Sequence, residues 1–300
     1  MTIEALVEKY NNKPHKSFRR IGGGYYADVY KINYEYGESV VVKVYKTDGV
    51  MQAERLQLDV LAGHSLAAMP KVRWVHNADG AFGRDVLCMN HLEGTVGGAV
   101  WYFSKAKRKR LADSVADSLI AFHNVKSPDG FGELGSNVRY ETFNEYYKMR
   151  AAQILRMAEE LEKKGQLTSD AADTMRRGYA QFERIFNLPI TEAVLIHGDY
   201  NMWNILVDRR SCSVSAVIDP YGAMWADGEF DLYQLKSVNG GHLGLLEAYA
   251  SKRELSPDCM QKMAFYEFFN SVEHYYTSGH PVRKRKMKKR VAALKKYLEV

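Results

Sequence analysis

Three polar residues in the second half of the chain have the types and the order that phosphoryl transfer requires. Asp199 ends the run His-Gly-Asp, Asn204 follows it in the same loop-like segment, and Asp219 stands between an isoleucine and a proline. Transfer of a γ-phosphoryl group needs a carboxylate that accepts a hydroxyl proton and oxygen ligands that hold Mg²⁺ on the nucleotide. These three residues are therefore the candidates for the chemistry.

The spacing between Asn204 and Asp219 predicts a β-hairpin with both residues at its open end. Two apolar-rich runs, 205–207 and 214–218, flank a polar and turn-like stretch. Closure of this hairpin would put an amide oxygen beside a carboxylate, and both are hard oxygen ligands that suit Mg²⁺. Taken singly, His-Gly-Asp is usually a turn and Ile-Asp-Pro a strand end, so only the combination predicts a site.

Candidates for phosphate binding lie upstream. Gly22, Gly23 and Gly24 separate two strand-like segments. Glycines let backbone N–H groups approach phosphate oxygens closely. An ordinary glycine-rich hairpin is an equally good interpretation of this stretch alone.

A lysine interrupts the strongly β-prone segment 40–45. Lys43 is costly to bury and therefore requires an anionic partner. In kinases a strand lysine of this kind holds the α- and β-phosphates and pairs with a helix glutamate. The next segment, 51–61, has a helical pattern, and Glu54 in its first turns is the candidate carboxylate partner of Lys43. A solvent-exposed helix face is the alternative for Glu54.

Length and patterning predict an α+β fold of two lobes. The 300 residues exceed the usual size of a single core. We expect a small β-rich N-lobe over 1–90, a hinge over 91–95 and a larger, mainly helical C-lobe over 96–300. Where the N-lobe meets the hinge, the backbone is predicted to hydrogen-bond an adenine edge, which makes three residues nucleotide-binding candidates: Met89, Asn90 and His91.

Helical periodicity dominates the predicted C-lobe. The pattern predicts one helix from Leu111 to Phe122, one from Phe143 to Gly165 and one that begins after the capping run Thr168-Ser169-Asp170 and ends near Phe186. His123 closes the first of these, and we interpret it as a packed or capping histidine rather than a catalytic one.

Composition excludes several other classes of protein. The three cysteines are scattered, which indicates neither a disulfide framework nor a zinc site. No segment approaches the roughly 20 apolar residues of a membrane span, and the N-terminus lacks the apolar region of a signal peptide. We therefore expect a cytoplasmic protein, monomeric or dimeric, with no membrane partner.

Nearly the whole chain resembles the aminoglycoside phosphotransferase and fructosamine kinase group of protein-kinase-like small-molecule kinases. Residues 197–204 match the HGDxxxxN catalytic loop of the group, and Asp219-Pro220 matches its metal-binding aspartate. Residues 229–232, Glu-Phe-Asp-Leu, match the acidic segment that follows in the family. The resemblance implies a kinase-like fold of two lobes.

The same resemblance implies individual roles for the candidate residues. It implies that Asp199 is the catalytic base and that Asn204 and Asp219 bind Mg²⁺. It also implies that Lys43, paired with Glu54, positions the phosphates of ATP. The four residues Lys43, Asp199, Asn204 and Asp219 are all present, which argues against a pseudokinase or a scaffold, because neither has a physical need for all four.

Within the group, two segments look most like fructosamine kinases. They are 231–249 and the run 140–143, which leads into a long helix. One departure concerns the catalytic loop, since fructosamine kinases usually carry tryptophan two places after the aspartate. Here Asn201 stands there and the tryptophan is Trp203.

Charge bears on the acceptor. The net charge is +6, and the last sixty residues hold six acids against twelve lysines and arginines, with an almost wholly basic run at 283–290. Like charges oppose the binding of a polycationic aminoglycoside. The basic run is a candidate for contact with nucleic acid or an anionic membrane, but a solvated helix face is commoner, and nucleic-acid binding is not expected without interleaved stacking aromatics.

These inferences predict an ATP- and Mg²⁺-dependent kinase that phosphorylates a hydroxyl of a small molecule. The favoured acceptor is a sugar amine or ketosamine, and the alternative is an aminoglycoside-type antibiotic or an amino alcohol. The preference between ATP and GTP stays open. For acceptor contact the candidates are Trp225, as an aromatic face for a sugar ring, and Asp227, as a carboxylate. Simple packing is an equal alternative for Trp225.

Overall fold

The N-terminal region of the computed structural model, which describes residues 1–299, is built on one antiparallel sheet of five strands. Along the sheet the order is β1-β2-β3-β5-β4. The strands are β1 (Ser17–Gly23), β2 (Ala27–Asn33), β3 (Val40–Tyr45), β4 (Val72–His76) and β5 (Val86–Asn90). Helix α1 spans Ile3–Asn11 and helix α2 spans Val50–Ala62, one residue longer at each end than the pattern predicts.

The C-terminal region is mainly helical. Its helices are α3 (Lys105–His123), α4 (Phe143–Lys163), α5 (Ser169–Ala180), α6 (Phe182–Ile185), α7 (Gly240–Leu243), α8 (Leu245–Ala250), α9 (Cys259–Ser278) and α10 (Lys284–Lys295). Short 3₁₀ helices cover Gly97–Ala99 and Gly228–Lys236. The predicted α+β fold is confirmed.

Two small sheets connect these helices. Their strands are β6 (Thr95–Val96), β7 (Gly132–Glu133), β8 (Val194–Ile196), β9 (Ile205–Asp208), β10 (Ser213–Val217) and β11 (Met224–Ala226). The strand orders are β10-β9-β6 and β7-β11-β8. The first sheet joins the segment after residue 90 to the predicted hairpin, and the second anchors the strand that leads into His-Gly-Asp.

Helix ends follow the capping chemistry of the sequence. Thr142 and Glu145 form a reciprocal capping box at the start of α4. Thr168 caps α5 by accepting from the N–H of Ala171 at 3.3 Å. The predicted third helix, to Phe186, was too long: α5 ends at Ala180, and α6 begins only after Gln181.

Part of the core lies beneath the segment 197–204, since Tyr200 and Met202 pack in the same cluster as α3. Helix α3 buries Leu111, Val115, Leu119 and Phe122 completely, which is the face predicted from periodicity. His123 is fully buried, and its ring nitrogen Nδ1 lies 2.8 Å from the hydroxyl of Tyr249. It is a packed histidine, as predicted.

Three further features are the state of the cysteines, the position of the basic run and the length of the apolar helices. All three cysteines are free and buried. The basic run forms the exposed side of α10, which packs through Val291 and Leu294. Within residues 1–299, no helix is both long and apolar enough to cross a membrane. The predicted boundaries of N-lobe, hinge and C-lobe stay a prediction, and Val300 lies outside the described residues.

Candidate active site

The loop that carries Asp199 is fixed by backbone contacts that only certain residues permit. Gly198 has φ +82°, and a Cβ there would lie 2.2 Å from the carbonyl oxygen of Tyr221. Only glycine therefore fits at this crossing of two loops. The buried carboxylate of Asp231 accepts hydrogen bonds from the N–H groups of His197 at 2.8 Å and Gly198 at 2.9 Å. Asp231 thus holds the start of the loop.

Asp199 is surrounded by amides. Its Oδ1 accepts from Asn201 Nδ2 at 2.7 Å and from Gln234 Nε2 at 3.0 Å, while Oδ2 accepts from Asn204 Nδ2 at 2.7 Å. Burial raises the pKa of Asp199 to about 6, assisted by the nearby charge of Asp219, although the amide donors from Asn201 and Asn204 oppose the shift. A carboxylate with this pKa is ionised at neutral pH yet able to take up a proton.

The predicted hairpin brings Asn204 and Asp219 together. Strands β9 and β10 pair in antiparallel register, and the N–H of Ile218 donates to the carbonyl of Asn204 at 2.9 Å at the open end. Asp219 itself has φ +57°, a left-handed conformation that turns the chain sharply out of the strand. Its side chain remains 53% exposed, so the carboxylate faces the cleft.

Lys43 links the N-terminal sheet to this hairpin. Its residue is 9% exposed, and its Nζ lies 2.5 Å from Glu54 and also contacts Asp219. The hydroxyl of Tyr45 donates to the other oxygen of Glu54 at 2.7 Å. Burial disfavours the ammonium, but the two carboxylates outweigh it and raise the pKa of Lys43. Partial desolvation in the cleft opposes the charge of the half-exposed Asp219 carboxylate, but Lys43 outweighs it and lowers the pKa of Asp219.

The glycine segment forms the β1–β2 turn. Gly22 and Gly23 end β1, and the N–H of Gly24 donates to the carbonyl of Ala27 at 2.9 Å. Gly24 has open space where a Cβ would stand. The geometry leaves room for a ligand beside this turn, and its contact with phosphate stays a prediction.

The three predicted adenine-contact residues lie at the end of β5. Met89 is buried in the sheet, where it pairs with Val41. The N–H groups of Asn90 and His91 donate to the carbonyls of Lys71 and Ser39, both at 3.1 Å. Because these two donors are already engaged, any adenine contact here would use carbonyl groups or the residues that follow.

The structure does not bring the two predicted acceptor residues to Asp199. Trp225 lies in the central strand β11 and is half-buried between the two cores, which supports the packing alternative. Asp227 is buried and accepts from Lys262 Nζ at 3.0 Å and from the hydroxyl of Tyr266 at 2.9 Å. Its carboxylate is neutralised in a separate cluster, so the predicted acceptor role of Asp227 is not supported.

Some contributions to the site escaped sequence reasoning. Gln234 reaches Asp199 from a 3₁₀ helix, and Tyr45 supports Glu54 from the strand of Lys43. In the sequence, Asn201 was notable only because it departs from the fructosamine kinase pattern, whereas in the structure its side chain donates directly to Asp199. The alternation of β3 was a usable signal for Tyr45, which stands two residues after Lys43 and therefore on the same face. No local pattern marks Gln234.

Charge and donor chemistry make the cleft suitable for a divalent cation. The carboxylates of Glu54, Asp199 and Asp219 outnumber the single ammonium of Lys43. Asn204 uses its side-chain nitrogen on Asp199, which leaves its amide oxygen without a hydrogen-bond role in that contact and able to serve as a metal ligand. Hard oxygen donors with an excess of negative charge fit Mg²⁺.

Comparisons with known proteins agree with this geometry. A sequence model described as the "Phosphotransferase enzyme family" matches residues 17–266. The uncharacterized protein YcbJ of Escherichia coli strain K12 is 21% identical over 240 residues, which are 80% of each chain.

Solved structures share the fold over nearly the whole chain. A protein provisionally named fructosamine-3-kinase from Thermobifida fusca YX-ER1 has a TM-score of 0.70 at 20% identity, with 98% of this chain and 99% of that chain covered. An aminoglycoside phosphotransferase APH(4)-Ia, solved with ADP and hygromycin B, has a TM-score of 0.74 at 14% identity, with 99% of both chains covered. The fold is therefore the kinase-like one that the sequence predicts.

Proposed function

The chain belongs to the phosphotransferase enzyme family, and from that premise we propose that it transfers the γ-phosphate of ATP to a hydroxyl group of a small molecule, with Mg²⁺ as the metal. The acceptor that we propose is a sugar amine or a ketosamine. A nucleotide-binding pseudokinase is the alternative that the experiments below exclude or establish.

One observation carries the proposal. The side chain of Asn204 donates to Asp199 at 2.7 Å, and its backbone carbonyl accepts from the N–H of Ile218, the residue before Asp219, at 2.9 Å. A proton acceptor and a pair of metal ligands are thereby held in one rigid unit. Phosphoryl transfer depends on such positioning more than on covalent chemistry.

In the proposed mechanism, Asp199 accepts the proton of the acceptor hydroxyl. Its pKa of about 6 leaves it ionised at neutral pH and close enough to the operating pH for efficient proton transfer. Lys43, kept protonated by Glu54, contacts phosphate oxygens. The neighbouring amides hold Asp199 in one orientation.

Asn204 and Asp219 are the residues that would hold Mg²⁺. The lowered pKa of Asp219 keeps its carboxylate ionised. When bound with the nucleotide, the metal supplies positive charge that offsets charge developing on the phosphate oxygens. Lys43 contacts Asp219 directly, so the same lysine orients a metal ligand and the phosphates.

The choice of a sugar acceptor has support from the catalytic loop and from charge. Trp203 is 58% exposed, and its ring packs over Gly98, where a Cβ would lie 2.8 Å from it. An exposed aromatic face beside Asn204 suits the apolar face of a sugar ring. The excess of basic residues in the last sixty positions disfavours a polycation.

A coupled assay of ADP release tests the proposal. A fructosamine, glucosamine, choline and kanamycin are compared at matched concentrations with MgATP. We expect the highest kcat/KM for the fructosamine or glucosamine. A highest value for kanamycin would overturn the charge argument, one for choline would overturn the sugar acceptor, and turnover with none of the four would favour a pseudokinase.

A further inference from the structure

A row of polar side chains leads from Asp199 to helix α9. Gln234 Nε2 donates both to Asp199 and to the hydroxyl of Tyr233, the latter at 3.2 Å. The same hydroxyl accepts from Asn270 Nδ2 at 3.1 Å. Because each contact is a hydrogen bond, these residues form a continuous polar wall that begins at the proposed base.

The wall continues to a charged pair between two helices. Arg150 of α4 donates to Glu273 of α9 at 2.8 Å, and its other terminal nitrogen lies 3.4 Å from the hydroxyl of Tyr146. The two charged side chains are 22% and 24% exposed. Asn270 and Glu273 are one helical turn apart on α9, so amide and ion pair share one face of that helix.

Aromatic residues near the proposed nucleotide site cover the same face. Thr277, one turn beyond Glu273, accepts from the hydroxyl of Tyr26 in the glycine turn at 3.3 Å. Tyr26 also stacks on Tyr221, with ring centroids 5.2 Å apart and hydroxyls 2.7 Å apart. Tyr221 follows Asp219 by two positions. The charged pair therefore shares its face of α9 with Asn270, which connects through Tyr233 and Gln234 to Asp199, and with Thr277, which contacts Tyr26.

Two buried atoms in this wall have no partner among residues 1–299. They are Nε of Arg150, a donor, and Oδ1 of Asn270, an acceptor. Buried polar atoms are nearly always satisfied, so these two favour a rearrangement of Arg150 and Asn270 in which a ligand supplies the complements. As they stand, both atoms are closed to solvent, and the side chains that a ligand can reach are the partly exposed Arg150 and Glu273. The complement of a guanidinium N–H is a carboxylate, and an ammonium or hydroxyl complements an amide oxygen.

We propose that Arg150, Asn270 and Glu273 bind the acceptor and select a zwitterion, a molecule with one carboxylate and one ammonium group on a skeleton that also carries the reacting hydroxyl. The carboxylate binds Arg150, and the ammonium binds Glu273 and Asn270. This inference rests on the proposed function, because it requires a hydroxyl acceptor next to Asp199. A polycation would leave several charges without partners in a pocket whose own two charges cancel.

Matched pairs of acceptors that differ only in the carboxylate test this inference. One pair is the ketosamine of fructose with glycine against that with methylamine, and the other is homoserine against 3-aminopropan-1-ol. We expect kcat/KM to favour the carboxylate member roughly tenfold in whichever pair is phosphorylated, as for one charge-assisted contact. Preference for the methylamine ketosamine would overturn the pocket assignment but leave the kinase proposal intact.

The two pairs separate failure of the inference from failure of the proposed function. If homoserine is the only one of the four compounds that is phosphorylated, the proposal of a sugar acceptor is wrong and the zwitterion pocket stands. If no member of either pair is phosphorylated, both fall. Equal kcat/KM values within a phosphorylated pair also overturn the pocket.

Variants assign the preference to the proposed residues. Arg150→Gln is expected to bring the ratio within each pair close to one, chiefly through KM for the carboxylate member. The control is Lys148→Gln on the same helix, which breaks an exposed pair with Glu183 and should leave the ratio unchanged.

A second variant keeps the test decisive if Arg150→Gln unfolds. Glu273→Gln removes the carboxylate partner of Arg150, so Arg150 should bind the ligand carboxylate more tightly while the ligand ammonium loses a partner. The ratio of kcat/KM for 4-hydroxybutanoate, which lacks the ammonium, to that for homoserine should therefore rise. Thermal unfolding of each variant identifies loss of fold. Unchanged ratios in a folded Arg150→Gln or Glu273→Gln variant would contradict the assignment.

Discussion

Asp199 and Asp219 are both aspartates in neighbouring loops, but their surroundings shift their pKa values in opposite directions. Asp199 is held by three neutral amides and has no ion pair among residues 1–299. Asp219 contacts the ammonium of Lys43 and is half-exposed. The pKa of Asp199 is raised to about 6, mainly by burial, whereas Lys43 lowers that of Asp219.

This difference suits the two aspartates to two different proposed tasks, proton acceptance by Asp199 and metal binding by Asp219. A proton acceptor works best with a pKa near the working pH. A carboxylate that binds a metal must stay ionised, because protonation removes its negative charge and occupies a lone pair that would bind the cation. Neutral amide donors leave the pKa of Asp199 free to rise, and a cationic partner keeps Asp219 ionised, so the neighbours of each aspartate favour its proposed role.

The largest expected effect breaks the metal side of this comparison. Asp219→Ala should lower kcat on the order of a thousandfold and raise the Mg²⁺ requirement, because a group that supports transition-state charge is lost. Asn204→Ala should act in the same way but more mildly. Titration of activity with Mg²⁺ decides this, and curves of both variants that overlay the wild type would remove the hairpin from metal binding.

The next effect breaks the base side. Asp199→Asn keeps the size of the side chain but cannot accept the hydroxyl proton, so kcat should fall roughly a hundredfold or more while the affinity for ATP persists. The two quantities are measured on the same preparation by steady-state kinetics and by calorimetric titration with ATP. Turnover retained within a few-fold would show that Asp199 is not the base.

A smaller effect sharpens the comparison through pH. Asn201 donates to the Asp199 carboxylate and lowers its pKa, so Asn201→Ala should raise that pKa. Activity requires the ionised form, and the acid limb of the pH–rate profile, near pH 6 in the wild type, should therefore move to higher pH. A limb that stays in place, or moves to lower pH, would contradict the assignment of that limb to Asp199.

Sequence reasoning was most successful where a local pattern fixed the geometry. The hairpin between Asn204 and Asp219 follows from two apolar runs around a polar turn. The cost of burying Lys43 indicated an anionic partner, and the helix glutamate that pairs with the strand lysine in kinases made Glu54 the candidate. Both are local arguments with few alternatives. The confirmed α+β fold likewise follows from the change of period along the chain.

The failures arose where distant segments meet. Gln234 reaches Asp199 only because Asp231 fixes the start of the catalytic loop from the same 3₁₀ helix, and no period in the sequence encodes that approach. Asp227 was expected to face the acceptor because it follows the metal aspartate closely. Its burial against Lys262 depends on the path of α9, which local spacing does not specify.

The acceptor pocket shows the same limit. Arg150 and Glu273 are more than one hundred positions apart, and each reads as an ordinary charged residue on an amphipathic helix. Only the packing of α4 against α9 pairs them. Their contribution to acceptor choice was therefore invisible before the fold was known.

The most direct test of the account is the titration of the two carboxylates themselves. Carbon-13 NMR of the aspartate carboxyl groups, without Mg²⁺ and with signals assigned through Asp199→Asn and Asp219→Asn, reports each pKa separately. We expect Asp199 to titrate near pH 6 and Asp219 to titrate below the ordinary aspartate pKa of about 3.9. The reverse order, or two ordinary values, would contradict the division of tasks between base and metal ligand.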